Sequence, residues 1–569
     1  MTRPVDPTRE RMTRRGFLLA LGSAGAGAAL LSCAGGRPSV QMREAFDLIV
    51  RGGMVLDGTG SPAFSGDLGI RNGTILAVGN LEEATAARMI DARGLTVCPG
   101  FIDIHSHVDL ELFRDPRAES KVMQGVTTEV SGMDGDSPAP LGGPNLERSL
   151  KGFEERFGFA CPYRDMDGFL TALERNHSAQ NIVMFVGLGT VREVSVGLDD
   201  RPPTAEEMEA MKRELVKAVE QGCMGVSSGL EYTPGSFATT EELSELMRIV
   251  PERSRIYATH MRNEDDAVLE AIDEALTIAR RSGSSLQVSH LKAQNRRNWP
   301  KQQRALAMLE SARREGLDVH ADRYPYVAFN TGLTNLFPIW SREGGTEAFL
   351  ERLTDPASRG HIREYVERKV RGLGSWDAVM ISSVRLEDDK QFQGRTMQEI
   401  CYAASADPFE FAVELLQREK GSVGMVGFGM NEEGTEKVLA WRHTMVASDG
   451  GAYSPSRPTS APHPRSYGTF PRAIALYQRE RNITTLPEMV RKMSGLPAEK
   501  LGLRDRGRLA PRLAADLVVF DYGSIRDRAT FENPHQFPEG IFYVIVNGVP
   551  VVDGGEQTSA LPGQVLRRS

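Results

Sequence analysis

From residue 96 to residue 449 the chain alternates short apolar runs with longer amphipathic stretches. Such alternation commits a chain to parallel strands joined by helices, because parallel neighbours cannot be linked by a tight hairpin. The apolar runs fall at 96–107, 126–134, 182–189, 224–230, 256–261, 286–291, 318–324 and 444–449. Helical stretches lie between them at 204–221, 240–253, 265–282 and 301–315, the first opened by a capping box of Thr204 and Glu207. Eight such strands predict an α/β fold, a TIM-like (β/α)8 barrel with its chemistry at the carboxyl ends of the strands. The interval 325–443 is too long for one connection and predicts an inserted subdomain.

On either side the texture is different. Residues 46–97 read as short strands separated by Gly52-Gly53, Asp57-Gly58 and Asn72-Gly73 turns. Strand texture returns after residue 505, at 515–520, 541–546 and 549–552, with an Asn547-Gly548 turn. Two β segments at opposite ends of the chain predict one small β-sandwich. The expected organisation is a sandwich from 46–97 and 506–569, and a barrel over 98–505 with an inserted lid at about 330–400.

Residues 1–36 read as a targeting segment, not as fold. A basic stretch at 9–15 precedes an apolar one at 17–31, and Thr13-Arg14-Arg15-Gly16-Phe17-Leu18 fits a twin-arginine signal. Leu30-Leu31-Ser32-Cys33 fits a lipobox, in which Cys33 would carry the lipid. The expectation is an exported protein, periplasmic or at the cell surface, touching a membrane only through a lipid anchor at Cys33. The five cysteines show no paired spacing, so no disulfide framework is expected. The formal net charge is -8 and no long basic run occurs, which argues against a nucleic-acid partner.

The candidate chemistry sits at the strand ends. In Phe101-Ile102-Asp103-Ile104-His105-Ser106-His107 the two histidines are two residues apart, so on an extended strand they face the same side. His260 ends the fifth run, His290 the sixth and Asp449 the eighth. Four imidazoles and a carboxylate on one face of a barrel suit zinc or a similar borderline metal, as one or two ions.

These residues resemble the amidohydrolase superfamily, with H-x-H on strand one, His on strands five and six, and Asp on strand eight. Within it the chain is similar to the N-acyl-D-amino-acid deacylases (D-aminoacylases). The likeness rests on Pro99-Gly100-Phe101-Ile102-Asp103, Gln124-Gly125-Val126-Thr127-Thr128, Ser228-Gly229-Leu230-Glu231-Tyr232-Thr233-Pro234-Gly235, Ser289-His290-Leu291-Lys292 and His463-Pro464-Arg465-Ser466-Tyr467-Gly468-Thr469-Phe470. It runs from about residue 46 to the end. The resemblance implies metal-assisted hydrolysis of an N-acyl amino acid, with Asp449 moving the water's proton to the leaving amine. It implies Lys292 and Tyr324 or Tyr326 on the substrate carboxylate, Tyr232 on the pocket wall, Arg465 near an acidic group, and a lid around residues 337–345. Two positions depart from the pattern. Asp134, in Gly132-Met133-Asp134-Gly135, stands where the family carries a cysteine ligand, and Leu188 stands where a histidine is frequent. By the resemblance Asp134 becomes a candidate ligand, though a harder one than a thiolate.

Two other readings remain open at this stage. One is another amidohydrolase activity, a dipeptidase or cyclic-amide hydrolase; many of these carry a modified lysine on strand four, and residues 224–230 hold none. The other is a surface lipoprotein that binds metal or ligand without turnover, which has no need of the strand-eight acid. The residues alone do not fix D or L preference.

Overall fold

The computed structural model describes residues 46–568. At its centre are eight strands: β1 (Phe101–Asp103), β2 (Val126–Ser131), β3 (Asn181–Gly187), β4 (Gly225–Gly229), β5 (Ile256–His260), β6 (Ser285–Val288), β7 (Val319–Arg323) and β8 (Thr444–Val446). Each pairs in parallel with the next, in the spatial order β8-β7-β6-β5-β4-β3-β2-β1. The expected (β/α)8 barrel is therefore present. Its interior is filled by Ile102, Val130, Val183, Phe185, Met224, Ile256, Ala258 and Met445, all buried. Parallel strands covered on both faces are apolar without strict alternation, and this is what the short runs recorded.

The outer layer contains the helices Ala205–Glu220, Thr240–Ile249, Val268–Ser282 and Lys301–Arg314. The capping box is formed as read: Glu207 N–H donates to Thr204 Oγ1, and the Thr204 N–H to the Glu207 carboxylate. Among the described residues no helix is long and apolar enough to cross a membrane.

The run 96–107 is not one strand. Thr96–Pro99 pairs antiparallel with Leu517–Phe520 in the outer sheet, and only Phe101–Asp103 enters the barrel. The change of sheet falls at Gly100, whose N–H donates to Asp516 O at 2.8 Å. A Cβ there would lie 2.1 Å from Thr127 Oγ1, so only glycine fits the crossing point. That outer sheet unites both ends of the described chain. Its order runs from Glu556–Gln557 through Val549–Asp553, Ile541–Val546, Leu517–Phe520 and Thr96–Pro99 to Phe46–Val55, Phe64–Arg71 and Thr74–Gly79.

Between β7 and β8 lies the insertion. Phe329–Gly332, Gly424–Gly427 and Val379–Ser383 form a small antiparallel sheet with Gly424–Gly427 in the middle. Helices Gly345–Thr354, Pro356–Leu373, Met397–Ala404 and Pro408–Arg418 accompany it, around a core of its own that includes Phe337, Phe349, Ile362 and Leu415. The inserted sheet and helices thus run from Phe329 to Gly427, inside the interval 325–443.

At the amino-terminal face of the barrel, His320 packs edge-on to His443 with ring centroids 5.8 Å apart. Burial, with Lys500 and Arg313 nearby, pushes the His320 imidazole down to about 2 against the pull of Asp318. Burial and the Arg313 and Arg442 charges push His443 down to about 4. Both rings are neutral in the fold at neutral pH and would protonate more readily when unfolded. They therefore stabilise the fold fully above about pH 6.5, and that contribution is lost as pH falls below it. The melting temperature should fall from pH 7 to pH 4.5, and a His320→Leu variant should lose less over the same interval. Parallel curves for the two proteins would show that His320 does not drive the acid sensitivity.

Candidate active site

All six candidate ligands lie at the carboxyl mouth of the barrel, but most sit just past the strands. His105 is two residues beyond β1, His290 two beyond β6, Asp134 three beyond β2 and Asp449 three beyond β8; His260 is the last residue of β5. Asp134, His290 and Asp449 have φ of 55°, 36° and 50°. Left-handed backbone is costly for residues other than glycine and is held only where the surroundings dictate it. Here the turns swing these three side chains back over the barrel mouth. Gly229 makes room for one of them: a Cβ there would sit 1.8 Å from Asp134 O.

The side chains converge. Asp134 Oδ1 lies 3.4 Å from His105 Nε2, and its Oδ2 lies 3.4 Å from His290 Nε2, 3.8 Å from His260 Nδ1 and 3.7 Å from His107 Nε2. Asp449 Oδ1 is 3.0 Å from His107 Nε2 and 3.6 Å from His105 Nε2. The six candidate ligands resolve into two sets, His105/His107/Asp134/Asp449 and Asp134/His260/His290, which share Asp134, and a third group, Glu231/His260/Glu264, adjoins them through His260.

Each of three imidazoles is backed by a carboxylate that the sequence did not single out. Asp322 Oδ1 is 3.3 Å from His105 Nδ1, Glu264 Oε1 is 3.0 Å from His290 Nδ1, and Glu231 Oε2 is 3.6 Å from His260 Nε2. A carboxylate beside the far nitrogen favours the tautomer protonated there and raises the basicity of the near one; at His105 and His260 the contact is electrostatic, without a hydrogen bond among the described residues. Asp322, buried on β7 in Ala321-Asp322-Arg323, and Glu264, four residues after His260, offered the only sequence signal: carboxylates close to ligand positions with no helix surface to occupy.

The electrostatics call for a cation. Burial opposes protonation of His105, yet Asp134, Asp322 and Asp449 together raise its pKa well above the usual imidazole value. Burial is likewise outweighed at His260, where Glu264, Asp134 and Glu231 raise the pKa to about 10. His105 Nε2 and Asp134 Oδ1 are buried and make no hydrogen bond. Borderline nitrogen donors, hard oxygen donors and surplus negative charge fit a divalent metal in place of those protons.

A cavity of about 560 Å3 opens over this cluster, lined by Lys292, Tyr324, Arg465, Tyr232, Glu231 and Asn335 among others. Lys292 points at the site but is not free: its Nζ donates to Glu264 Oε1 at 2.6 Å and lies 2.7 Å from His290 Nδ1. Arg465 Nη1 donates to Asp449 Oδ2 at 2.7 Å, and its guanidinium lies 4.8 Å from the centroid of the Tyr324 ring. The Tyr324 hydroxyl is buried without a hydrogen-bond partner among the described residues. Of the two alternative tyrosines, Tyr324 is the one at the cavity; Tyr326 hydroxyl turns to Pro464 O at 3.4 Å, and its ring meets Arg472. Tyr232 packs on His260 with ring centroids 4.6 Å apart. The insertion reaches the site through Asn335, whose Nδ2 donates to Glu231 Oε2 at 3.3 Å. Leu188 is buried in the apolar layer around the barrel. Cys33 lies outside the described residues.

A parallel barrel with this ligand set at its carboxyl mouth defines a metal-dependent amidohydrolase. Residues 88–156 and 458–552 match the amidohydrolase family. The chain is 35% identical over 530 residues to the N-acyl-D-glutamate deacylase of Alcaligenes xylosoxydans xylosoxydans, covering 93% of this chain and 98% of that one. It is 33% identical to the D-aminoacylase of the same organism over 92% of this chain and 98% of the relative. The crystal structure of N-acyl-D-glutamate deacylase from Bordetella bronchiseptica, complexed with zinc and a phosphonate inhibitor, superposes with a TM-score of 0.78 at 33% identity, covering 92% of this chain and 100% of that one. The chain belongs to the N-acyl-D-amino-acid deacylase (D-aminoacylase) family.

Glu264 holds both Lys292 and His290, so a Glu264→Gln variant should lose divalent-metal affinity by about 10- to 100-fold while staying folded. Metal content after dialysis against graded chelator measures this. Retention equal to that of the parent protein would rule out an orienting role for Glu264.

Proposed function

We propose that this chain hydrolyses the amide bond of N-acyl-D-amino acids, releasing a carboxylate and the free D-amino acid, at a zinc site of one or two ions. The observation that carries the reading is the convergence of four imidazoles and two carboxylates at the barrel mouth, in a chain that matches three deacylases over nearly its whole length. His105, His107, Asp134, His260, His290 and Asp449 would hold the metal. Bound zinc brings the pKa of its water to about 7 and polarises a carbonyl.

The chain's own groups account for the rest. Burial would favour a protonated Asp449, but Arg465, His105 and His107 outweigh it and keep the carboxylate ionised. Asp449 can therefore accept the water's proton and pass it to the leaving nitrogen. The substrate's free carboxylate would take the unpartnered Tyr324 hydroxyl, with Lys292 and Arg465 supplying positive charge behind it. Tyr232 and Asn335 also line the cavity.

The test is hydrolysis by the zinc-loaded protein across matched N-acyl D- and L-amino acids. Free D-amino acid should appear, with the L series inert, and Asp449→Asn should lower kcat by about 100-fold or more. Activity confined to dipeptides or cyclic amides would overturn the substrate assignment. An unimpaired Asp449→Asn enzyme would overturn the role of Asp449.

We further propose that the protein is exported by the twin-arginine route and anchored by lipid at Cys33. The support is the sequence 13–33 alone, which lies outside the described residues. Replacing Arg14 and Arg15 together with Lys should hold the protein in the cytoplasm on cell fractionation. Cys33→Ala should release it from the membrane fraction; unchanged distributions would dismiss each assignment.

A further inference from the structure

The connection from β1 to β2 contains polar residues that the chemistry above does not use. Glu119, Ser120, Lys121 and Gln124 are all buried. Their partners lie across the barrel seam, on the segment that carries Asp449. Ser120 N–H donates to Tyr453 O at 3.1 Å. Tyr453 N–H donates back to Ser120 Oγ at 2.9 Å, and Ser454 Oγ donates to Glu119 Oε2 at 2.6 Å. On the other side of Asp449, Lys121 Nζ donates to Ser448 Oγ and to Asp103 Oδ2, each at 2.5 Å.

Ser448 is saturated by this arrangement. Its hydroxyl donates to Asp103 Oδ2 at 2.5 Å and accepts from Gly450 N–H at 3.0 Å, and its N–H donates to Asp103 Oδ1 at 2.9 Å. The loop is thus gripped at 448 and at 453–454, with Asp449 between. Gln124 extends the grip: its Nε2 donates to Ser466 O at 2.8 Å, beside the Arg465 that pairs with Asp449.

A left-handed aspartate needs such restraint, because its backbone conformation is unfavourable by itself. The ammonium of Lys121 is matched by Asp103, with Glu129 Oε2 at 3.5 Å, so the grip is a neutralised buried pair and not a stray charge. We infer that Lys121, acting through Ser448, is a positioning residue for Asp449, and that the 119–124 connection is a clamp setting the Asp449–Arg465 pair against the metal cluster. The inference rests on the role proposed for Asp449.

Ser448→Ala removes the link and leaves the Lys121–Asp103 pair in place. In the zinc-loaded full chain it should stay folded and keep its zinc content, with a lower melting temperature from the buried groups left unpaired, KM within about twofold and kcat lowered about 10- to 100-fold. Lys121→Met should lower kcat in the same sense; if it does not fold, the Ser448 measurements decide alone. In an Asp449→Asn background Ser448→Ala should cost nothing more, since the two changes remove one function. Full kcat in Ser448→Ala, or an equal loss in both backgrounds, would overturn the clamp while leaving Asp449 its role. Full activity in Asp449→Asn alone would instead remove that role, and the inference with it.

Discussion

The barrel's last seam is held by two strand-to-strand backbone bonds and by the side chains that cross it. Among the described residues no continuous ladder joins β8 to β1; in its place Asp449 N–H donates to His105 O at 2.8 Å and His107 N–H to Gly450 O at 3.1 Å. These two bonds join the backbone of three candidate ligands. Closing the sheet and assembling the His105/His107/Asp449 half of the site are therefore the same event. The other half comes from β5 and β6, and Asp134 reaches across from β2. A site drawn from five strands exists only in a closed barrel, which ties the chemistry to global folding and not to any one loop.

Placing these groups together works against local preference. Three of the six candidate ligands carry left-handed backbone, at about 1–3 kcal/mol each. Asp322, Glu264 and Glu231 then add further buried negative charge. The arrangement is sustained because each carboxylate faces an imidazole, a lysine or an arginine, and because a divalent cation would complete the balance. Strain and surplus charge at one place, inside a barrel that is otherwise regular, mark where function and folding pull apart.

The barrel, the pairing of the two terminal β segments and five of the six candidate ligands were legible in the sequence, because periodicity, turn pairs and histidines at strand ends are local signals. Asp134 came from the resemblance. The strand ends were overdrawn for a local reason too: apolar character persists past the last ladder bond, as in Ile104 and Ala447, which are buried but outside the strands. Gly100 was read as part of one strand because a change of sheet leaves no mark on hydrophobicity. Tyr324 and Tyr326 could not be separated, since alternation would put them on one side. The strand ends at Arg323 and Pro325 intervenes, so they diverge. Lys292 came from the resemblance and lines the cavity, but its partner Glu264 comes from another loop, and that pairing is a tertiary fact. Glu231 and Asp322 were missed for the same reason.

Asp134 bears most on how the metal centre is built. A thiolate offers a single ligand atom, whereas a carboxylate offers two. The Asp134 carboxylate stands among all four imidazoles, with Oδ1 toward His105 and Oδ2 toward His290 and His260. Asp449 is placed differently: Oδ1 faces His105 and His107, while Oδ2 is held by Arg465. Loss of Asp449 would leave Asp134, His260 and His290 as a complete three-ligand set. Loss of Asp134 would leave neither set whole. Where the resemblance puts a soft ligand, a harder one therefore falls on the one position both sets share, and with metal bound it would act on both sets, not on one.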